Sequence, residues 1–496
     1  IVRDENFFRK VKHINVHTSH MATKIDRKNH NVIAVDLTSG QEKNFSYDKL
    51  VIATGASPIR LPLPGSDLPE VFTLWTMSDA LAMRAAIDSG KVKRAVIIGG
   101  GLIGMEVVEA LCNRGLEVSV VDILDRPLPA MIDPAFGRYL LKALQSKGVH
   151  FYGEERVLEI VGHNGEVKSV KTDKREIPAD MVLMAVGVRP NTAIAKDAGL
   201  EIGKSGGILV DEHMRTNDPD IYAGGDCVEV NHILTGRKTW QPMGSVANRQ
   251  GRVIADNIAG IPSTFPGVAG TAIMRAFEYT IGKTGLTKEE AIKEGYDAEA
   301  VTIVNSDIPH FMPNSALITI RLVADKKTRR VLGAQVFGKG RADKRLDILV
   351  TAVTGGLTID MLGNTDVAYA PPYSTALDPV THAANALKNK MDNLMRSVSP
   401  LELKEKIEEG WNPLCVDVRT PEEIITQGQL PYDCVNIPLG LLWEKASELP
   451  KDRDIVTYCK ISVRGWDAYS ILRRRGFEKV FVLEGGIEGW PFELAK

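Results

Sequence analysis

The sequence predicts an α/β protein built largely on parallel sheets, and three observations carry that expectation. Short β-branched runs alternate with helical stretches through the first 200 residues, the texture of strand–helix–strand units. A glycine loop, Gly99-Gly100-Gly101-Leu102-Ile103-Gly104, leads out of one strand and into a helix. The same strand–helix texture returns after residue 397, over a stretch long enough to be a domain of its own.

Composition bounds the possibilities. A chain of 496 residues allows three to four domains at about 150 residues each. Lys and Arg (61) nearly balance Asp and Glu (63), which argues against a basic nucleic-acid footprint. Hydrophobic residues at 44% and charged residues at 25% describe a packed globular chain, not a disordered one. No apolar run approaches the roughly 18 residues of a membrane helix, and Ile1-Val-Arg-Asp-Glu-Asn is no signal peptide. The expectation is a cytoplasmic protein with neither membrane nor nucleic acid as partner. Its five cysteines, Cys112, Cys227, Cys415, Cys434 and Cys459, are scattered without a CxxC. That pattern opposes a disulfide framework and a zinc site, so no metal is expected and any cysteine with a role is a reactive thiol.

The elements follow in order. Leu50 to Ala53 reads as a strand stopped by Thr54-Gly55, and Ser78-Asp79 as the cap of a helix through Ile87. Ala95 to Ile98 is a buried strand, Met105 to Asn113 a helix, and Val118 to Val121 and Met181 to Val186 are further strands. From Thr271 the pattern changes: Leu317 to Val323 and Val331 to Phe337 suggest antiparallel strands with one wet face. Helices are expected around Arg345 to Val353 and Pro379 to Lys388, and a linker over Asn389 to Pro400. Beyond it, strands are expected over Leu414 to Val418, Ile455 to Tyr458 and Lys479 to Val482, with a helix over Trp466 to Arg474.

The glycine loop fits GxGxxG at Gly99, Gly101 and Gly104, and Asp122 ends the next strand 21 residues past Gly101. Gly99 allows the tight turn, Gly101 lets a pyrophosphate approach the backbone, and Gly104 brings helix and strand together. The helix N-terminus supplies N–H groups and positive dipole for phosphate. Asp122 accepts from a ribose 2′-OH and repels a 2′-phosphate, which favours NAD over NADP.

A second set of signals flanks this one. Ala53-Thr54-Gly55 and Tyr222-Ala223-Gly224-Gly225-Asp226 each end a strand in a turn. Together with Gly104-Met105-Glu106 and Gly187-Val-Arg-Pro-Asn191, they resemble the pyridine nucleotide–disulfide oxidoreductases. Asn248-Arg-Gln-Gly-Arg252, Asp343-Lys-Arg-Leu-Asp347 and Tyr369-Ala-Pro-Pro-Tyr373 are similar to the branch of coenzyme A-disulfide reductases, NADH oxidases and persulfide reductases. The resemblance runs from Ile1 to about Lys390. It implies FAD, NADH and a homodimer. It places Asp226 on the FAD ribitol, Gly244 and Ser245 facing the flavin ring, Thr54 and Gly55 in the cofactor-binding set, and Glu106 near flavin and nicotinamide. Gly187 completes the NAD site, and Tyr369 and Tyr373 reach the partner subunit's thiol site. Such proteins open with an FAD-binding GxGxxG followed by a redox cysteine near the flavin. Neither precedes Thr54, so Ile1 reads as the start of a fragment. Pro309-His310-Phe311-Met312-Pro313 departs from the His and paired tyrosines often seen with coenzyme A specificity, which leaves coenzyme A a candidate ligand.

Cys459-Lys460-Ile461-Ser462-Val463-Arg464 lies between a strand and a helix. A cysteine there meets loop amides and a helix N-terminus, and Lys460 and Arg464 add positive charge, conditions that favour a thiolate. The same amides form a nest for an anion or the outer sulfur of a persulfide. With Val416-Asp-Val-Arg-Thr-Pro-Glu-Glu423, Asn436-Ile-Pro-Leu439 and Leu483-Glu-Gly-Gly-Ile-Glu-Gly-Trp490, the segment resembles the rhodanese domain, which implies persulfide carriage on Cys459. The usual loop glycine is Ser462, and Gln429 stands where a His is usual. Cys112, Cys227, Cys415 and Cys434, the last expected in a loop, read as small buried residues.

The domain reading is an FAD-binding domain in two parts (1–75 and 206–265), an NAD-binding domain (76–205), an α+β dimerisation domain (266–392) and a rhodanese domain (397–496). Function reads as NADH-dependent reduction of coenzyme A disulfide, a persulfide or a polysulfide, coupled to sulfur carriage. The alternatives are an NADH oxidase or peroxidase with the same module, and a sulfur carrier that keeps the reductase as an inactive scaffold.

Overall fold

The computed structural model describes residues 3–495, which separate into two units. The first comprises residues 3–58 and 188–268, the second 59–187 and 269–495. The sequence places the chain crossings near residues 75 and 205, whereas the strand pairing moves them. Ala56–Pro58 pairs with Val188–Pro190 in the first unit, and Val71–Phe72 pairs with Met181–Met184 in the second.

In the first unit an antiparallel meander, His20–Asp26, Asn31–Asp36 and Glu42–Ser46, leads to Leu50–Ile52, which runs parallel to Ile221–Ala223. The helix Gly244–Ile258 lays Val246, Val253 and Ile254 on a core that includes Ile52, Ala223 and Cys227.

The second unit begins with a five-stranded parallel sheet in the order Val71–Phe72, Met181–Met184, Arg94–Ile98, Glu117–Val121, His150–Tyr152. Strands such as Met181–Met184 are wholly buried, as expected where helices cover a parallel sheet. The helix Met77–Asp88 is capped two residues before Ser78. Thr76 is its N-cap and closes a capping box with Asp79, so Asp79 is a third-position acid and Ser78 lies inside the helix.

A five-stranded antiparallel sheet follows, ordered Ala272–Ala276, Tyr279–Gly285, Val331–Gly338, Leu317–Asp325, Ala298–Ser306. The expected wet face is absent: every residue of Val331–Gly338 is buried. The helices Ala342–Gly355 and Pro379–Met391 pack on this sheet, and Phe337 stacks on Tyr139 of the helix Pro134–Gln145. Alternation in the sequence reflects strand geometry here, not solvent exposure.

The last sheet is parallel, ordered Ser397–Val398, Val480–Leu483, Ile455–Tyr458, Leu414–Asp417, Cys434–Asn436. The expected linker is largely structured. Residues up to Met391 continue the helix, Ser397–Val398 joins the sheet, and Ser399 caps the helix Pro400–Glu408 with Glu402. Among the described residues, no helix is long and apolar enough to cross a membrane.

Candidate active sites

The glycine loop lies between Arg94–Ile98 and the helix Leu102–Cys112. Gly99 holds φ +107°, and a Cβ there would stand 2.4 Å from the Ala185 carbonyl oxygen. A Cβ on Gly104 would stand 2.2 Å from the Gly99 oxygen, which is the close helix–strand approach that glycine permits. Gly101 is the N-cap, makes no side-chain capping bond, and would send a Cβ into open space. The helix therefore begins with free N–H groups beside bare backbone, a shape and polarity suited to a pyrophosphate.

Asp122 accepts hydrogen bonds from the Gly100 amide (2.6 Å) and the Leu124 amide (2.8 Å). The two bonds orient the carboxylate and leave lone pairs for ribose hydroxyls. Ile123, the next residue, is 66% exposed. Arg126 is engaged elsewhere: its guanidinium bonds Asp125 at 2.5 Å and its methylenes pack against Gly137. Gly187, at φ +111°, follows Met181–Met184 and accepts from the Ile59 amide. Glu106 is exposed on the helix and makes no hydrogen bond or ion pair among the described residues, while partial desolvation raises its carboxyl.

The first unit holds the second group. Thr54 donates its hydroxyl to the Asn191 carbonyl (2.5 Å), and the Asn191 side-chain amide returns a bond to the Thr54 carbonyl (3.0 Å). The Thr54 side chain thus ties two strand ends, and Gly55 makes the turn at φ +66°. Asp226 is half-buried, its carboxylate has no hydrogen-bond partner among the described residues, and burial pushes it up. Its lone pairs are open to a hydroxylated ligand. Gly244 and Ser245 are exposed in the first turn of their helix, whose cap, Met243, supplies no acceptor. An orphaned carboxylate and an open helix N-terminus fit the sugar-alcohol chain and the polar ring edge of a flavin nucleotide.

Tyr369 and Tyr373 stand 54% and 60% exposed on the loop before Pro379–Met391. Arg341 lies over the Tyr373 ring and donates to the Pro372 carbonyl. The buried Arg345 anchors the loop's end through Asp378 (2.9 Å) and Ser374 (3.1 Å).

Cys459 follows Ile455–Tyr458 and is 1% exposed. The helix begins at Val463, earlier than expected, and its cap is Ser462 in the left-handed conformation, φ +77° and ψ −16°. That conformation explains the usual glycine. Here the Ser462 hydroxyl donates to the Leu483 carbonyl at 2.5 Å. Arg464 is gripped by both oxygens of Glu423 (2.6 and 2.7 Å). This pairing, then the nearby Cys459, favours the charged guanidinium, while Arg464 holds the Glu423 carboxyl down to about 2. Lys460 turns instead toward Glu488, at 3.9 Å.

Two contributors carry no assigned role in the sequence reading. Glu423 is signalled by its capping box with Thr420. Gly486, at φ +60°, packs the 483–489 turn against the loop, since a Cβ there would stand 2.4 Å from the Cys459 carbonyl oxygen. Cys434 begins a strand beside Cys415 and is no loop residue; it accepts from the Tyr458 hydroxyl at 3.5 Å.

Comparison with known proteins extends this geometry. Residues 3–251 match the model of the pyridine nucleotide-disulphide oxidoreductases, 272–380 that family's dimerisation domain, and 399–492 the rhodanese-like domain. An NAD(P)H sulfur oxidoreductase (CoA-dependent) of Pyrococcus furiosus is 37% identical over 71% of this chain and 78% of its own length. An NADH oxidase of Methanocaldococcus jannaschii is 35% identical over 78% of this chain and 85% of its own. A solved NAD-dependent persulfide reductase from A. fulgidus superposes with a TM-score of 0.93 at 42% identity, covering 99% of this chain and 88% of that one.

Proposed function

The chain belongs to the pyridine nucleotide-disulphide oxidoreductase family and carries a rhodanese-like domain, and from that premise we propose an FAD- and NADH-dependent reductase of coenzyme A disulfide, persulfide or polysulfide. Its rhodanese domain carries sulfane sulfur on Cys459. The observation that supports it most is the joining, in one chain, of a glycine loop of dinucleotide-binding form with a cysteine loop flanked by the Arg464–Glu423 pair.

FAD-binding segments 3–58 and 188–268 flank an NAD-binding segment 59–187, followed by a dimerisation domain to 392 and the rhodanese domain from 397. When bound, NADH and FAD supply two-electron hydride transfer. Gly99, Gly101 and Gly104 bring backbone and helix dipole to the NADH pyrophosphate, Asp122 selects the ribose without a 2′-phosphate, and Gly187 borders the site. Asp226 takes the ribityl hydroxyls of FAD. Thr54, Gly55, Gly244 and Ser245 bound that nucleotide, and Glu106 borders the nicotinamide side. Tyr369 and Tyr373 serve the thiol site of a homodimeric, cytoplasmic enzyme.

At the second centre the Cys459 thiolate attacks the outer sulfur of a persulfide, or the sulfane sulfur of thiosulfate. The new S–S bond leaves a Cys459 persulfide and releases a thiolate, or sulfite from thiosulfate. An acceptor thiolate then attacks the outer sulfur and Cys459 returns to the thiolate. Arg464 balances negative charge throughout, and Glu423 keeps Arg464 in place.

The test is NADH oxidation by the FAD-loaded protein, with coenzyme A disulfide, a persulfide or dioxygen as the only acceptor. Turnover dependent on the sulfur compounds is expected. Equal turnover with dioxygen alone favours an oxidase, the activity named for the Methanocaldococcus relative.

A further inference from the structure

The turn Leu483 to Gly489 has two working sides. Toward the cysteine loop, the Ile487 amide donates to the Cys459 carbonyl and the Glu488 amide to the Lys460 carbonyl, each at 3.0 Å. Across a planar trans peptide, the N–H points opposite to the C=O. Holding those two carbonyls toward the turn therefore directs the Lys460 and Ile461 amides away from it, within the loop that begins at Cys459.

On its other side the turn is fastened to the body of the same unit. Glu484, 3% exposed, accepts from the Thr302 amide (2.8 Å), the Lys390 ammonium (2.9 Å) and the Ser397 hydroxyl (2.7 Å). Burial opposes the charge on Lys390, yet Glu484 and Glu299 hold its ammonium above the usual range. At the far end, the Tyr139 hydroxyl donates to the Gly489 carbonyl at 2.5 Å. Tyr139 belongs to the helix Pro134–Gln145, and its ring is fixed between Phe136 and Phe337. A Cβ on Gly485 would stand 3.3 Å from a Val304 methyl. The turn has no room to shift without releasing one of these groups.

We propose that Glu484 and Tyr139 are positioning residues for sulfur transfer at Cys459, so that the reductase body sets the shape of the sulfur-carrying loop. The proposal rests on the reading of Cys459 as the sulfur carrier. Neither residue touches the thiol. Each fixes one end of the turn whose amides hold the Cys459 and Lys460 carbonyls.

The test uses the whole chain with Tyr139→Phe, which removes one hydroxyl and keeps the stacked ring, and Glu484→Gln, which keeps an acceptor for Thr302. Sulfur transfer from thiosulfate to cyanide is measured with the pH profile of Cys459 alkylation by iodoacetamide. A slightly misplaced loop lowers kcat by about tenfold and leaves KM for thiosulfate nearly unchanged. The alkylation profile moves to higher pH, because misdirected amides stabilise the thiolate less. Wild-type kcat and an unshifted profile in both variants overturn the proposal, whatever their melting temperatures. If Glu484→Gln fails to fold, Tyr139→Phe decides alone. A wild-type Cys459 that takes up no sulfur overturns the carrier reading and this proposal with it. Normal uptake with unaffected variants overturns the proposal alone.

Discussion

Gly101 and Gly104 lie three residues apart, and alanine at each should produce opposite effects. At Gly104 a methyl would stand 2.2 Å from the Gly99 oxygen and 3.2 Å from an Ile97 methyl. The Gly99 carbonyl cannot retreat, because the Gly99 amide is bonded to the Val121 carbonyl and its Cα faces the Ala185 oxygen. Overpacking of this kind costs about 1–3 kcal/mol, while alanine's better helix propensity returns about 1 kcal/mol. A 2.2 Å approach to backbone oxygen puts the cost at the upper end of that range, and a net loss of about 2 kcal/mol lowers the melting temperature by about 4–8 °C at most. At Gly101 the backbone, φ −77° and ψ −175°, suits alanine, and its methyl meets nothing within 4 Å. The loss of glycine at a cap is offset by about 0.4–1 kcal/mol from a stiffer unfolded chain, so folding is nearly unaffected. The methyl does occupy the space a pyrophosphate needs, and NADH affinity falls by at least about tenfold, or 1.4 kcal/mol. Thermal melts with calorimetric NADH titration read both quantities. Wild-type NADH affinity in Gly101→Ala, or wild-type melting in Gly104→Ala, would refute the reasoning.

Three further outcomes are expected. The wild-type chain binds NADH more tightly than NADPH in competitive titration, and Asp122→Ala with Ile123→Arg reverses the order; an unchanged order after both substitutions counts against Asp122. Mass spectrometry finds one added sulfur on Cys459 after thiosulfate exposure, lost in Cys459→Ser and kept in Cys415→Ser and Cys434→Ser. The Glu423 carboxyl is depressed from 4.5 to about 2 on folding, so its pairing stabilises the protein above about pH 5 and the benefit fades as pH falls toward 2. Denaturant titrations across that range should show Glu423→Gln less stable at neutral pH, modestly and salt-sensitively, and converging with wild type in acid; a pH-independent difference rules the pairing out as cause.

Local chemistry makes the strand–turn–helix placement of the glycine loop legible, because Gly99, Gly101, Gly104 and Asp122 sit at fixed offsets within one strand–helix–strand unit. The Cys459 loop was legible for the same reason. What escaped was tertiary. No spacing announces that Glu423 meets Arg464 across 41 positions, or Tyr139 the Gly489 carbonyl across 350. The stretch Val331–Phe337 holds a single polar residue, Gln335, in an otherwise apolar or glycine run, which is the composition of a strand covered on both faces rather than one with a wet face. Its burial depends on helices supplied by distant segments. Thr76 was passed over because Ser78 and Asp79 are capping residue types as well, and only the Thr76–Asp79 exchange of hydrogen bonds separates them.

The junction before the rhodanese domain bears on how sulfur moves. A flexible tether would raise the effective concentration of a carrier by confining its diffusion. Here the helix Pro379–Met391 ends just before Ser397–Val398 enters the last sheet, and Lys390 within that helix is bonded to Glu484 of the module. Glu484 also accepts from the Thr302 amide, so moving the module away would break the Lys390 and Thr302 bonds together. On the proposed sulfur-carrier reading, these bonds hold the Cys459 loop on its unit and the acceptor comes to it. Lys390→Met tests this directly. Leaving Glu484 buried without its cation should loosen the module, raising hydrogen exchange in the 483–489 turn before the antiparallel sheet unfolds. If exchange in the turn stays as slow as in wild type, the junction is held by apolar packing instead.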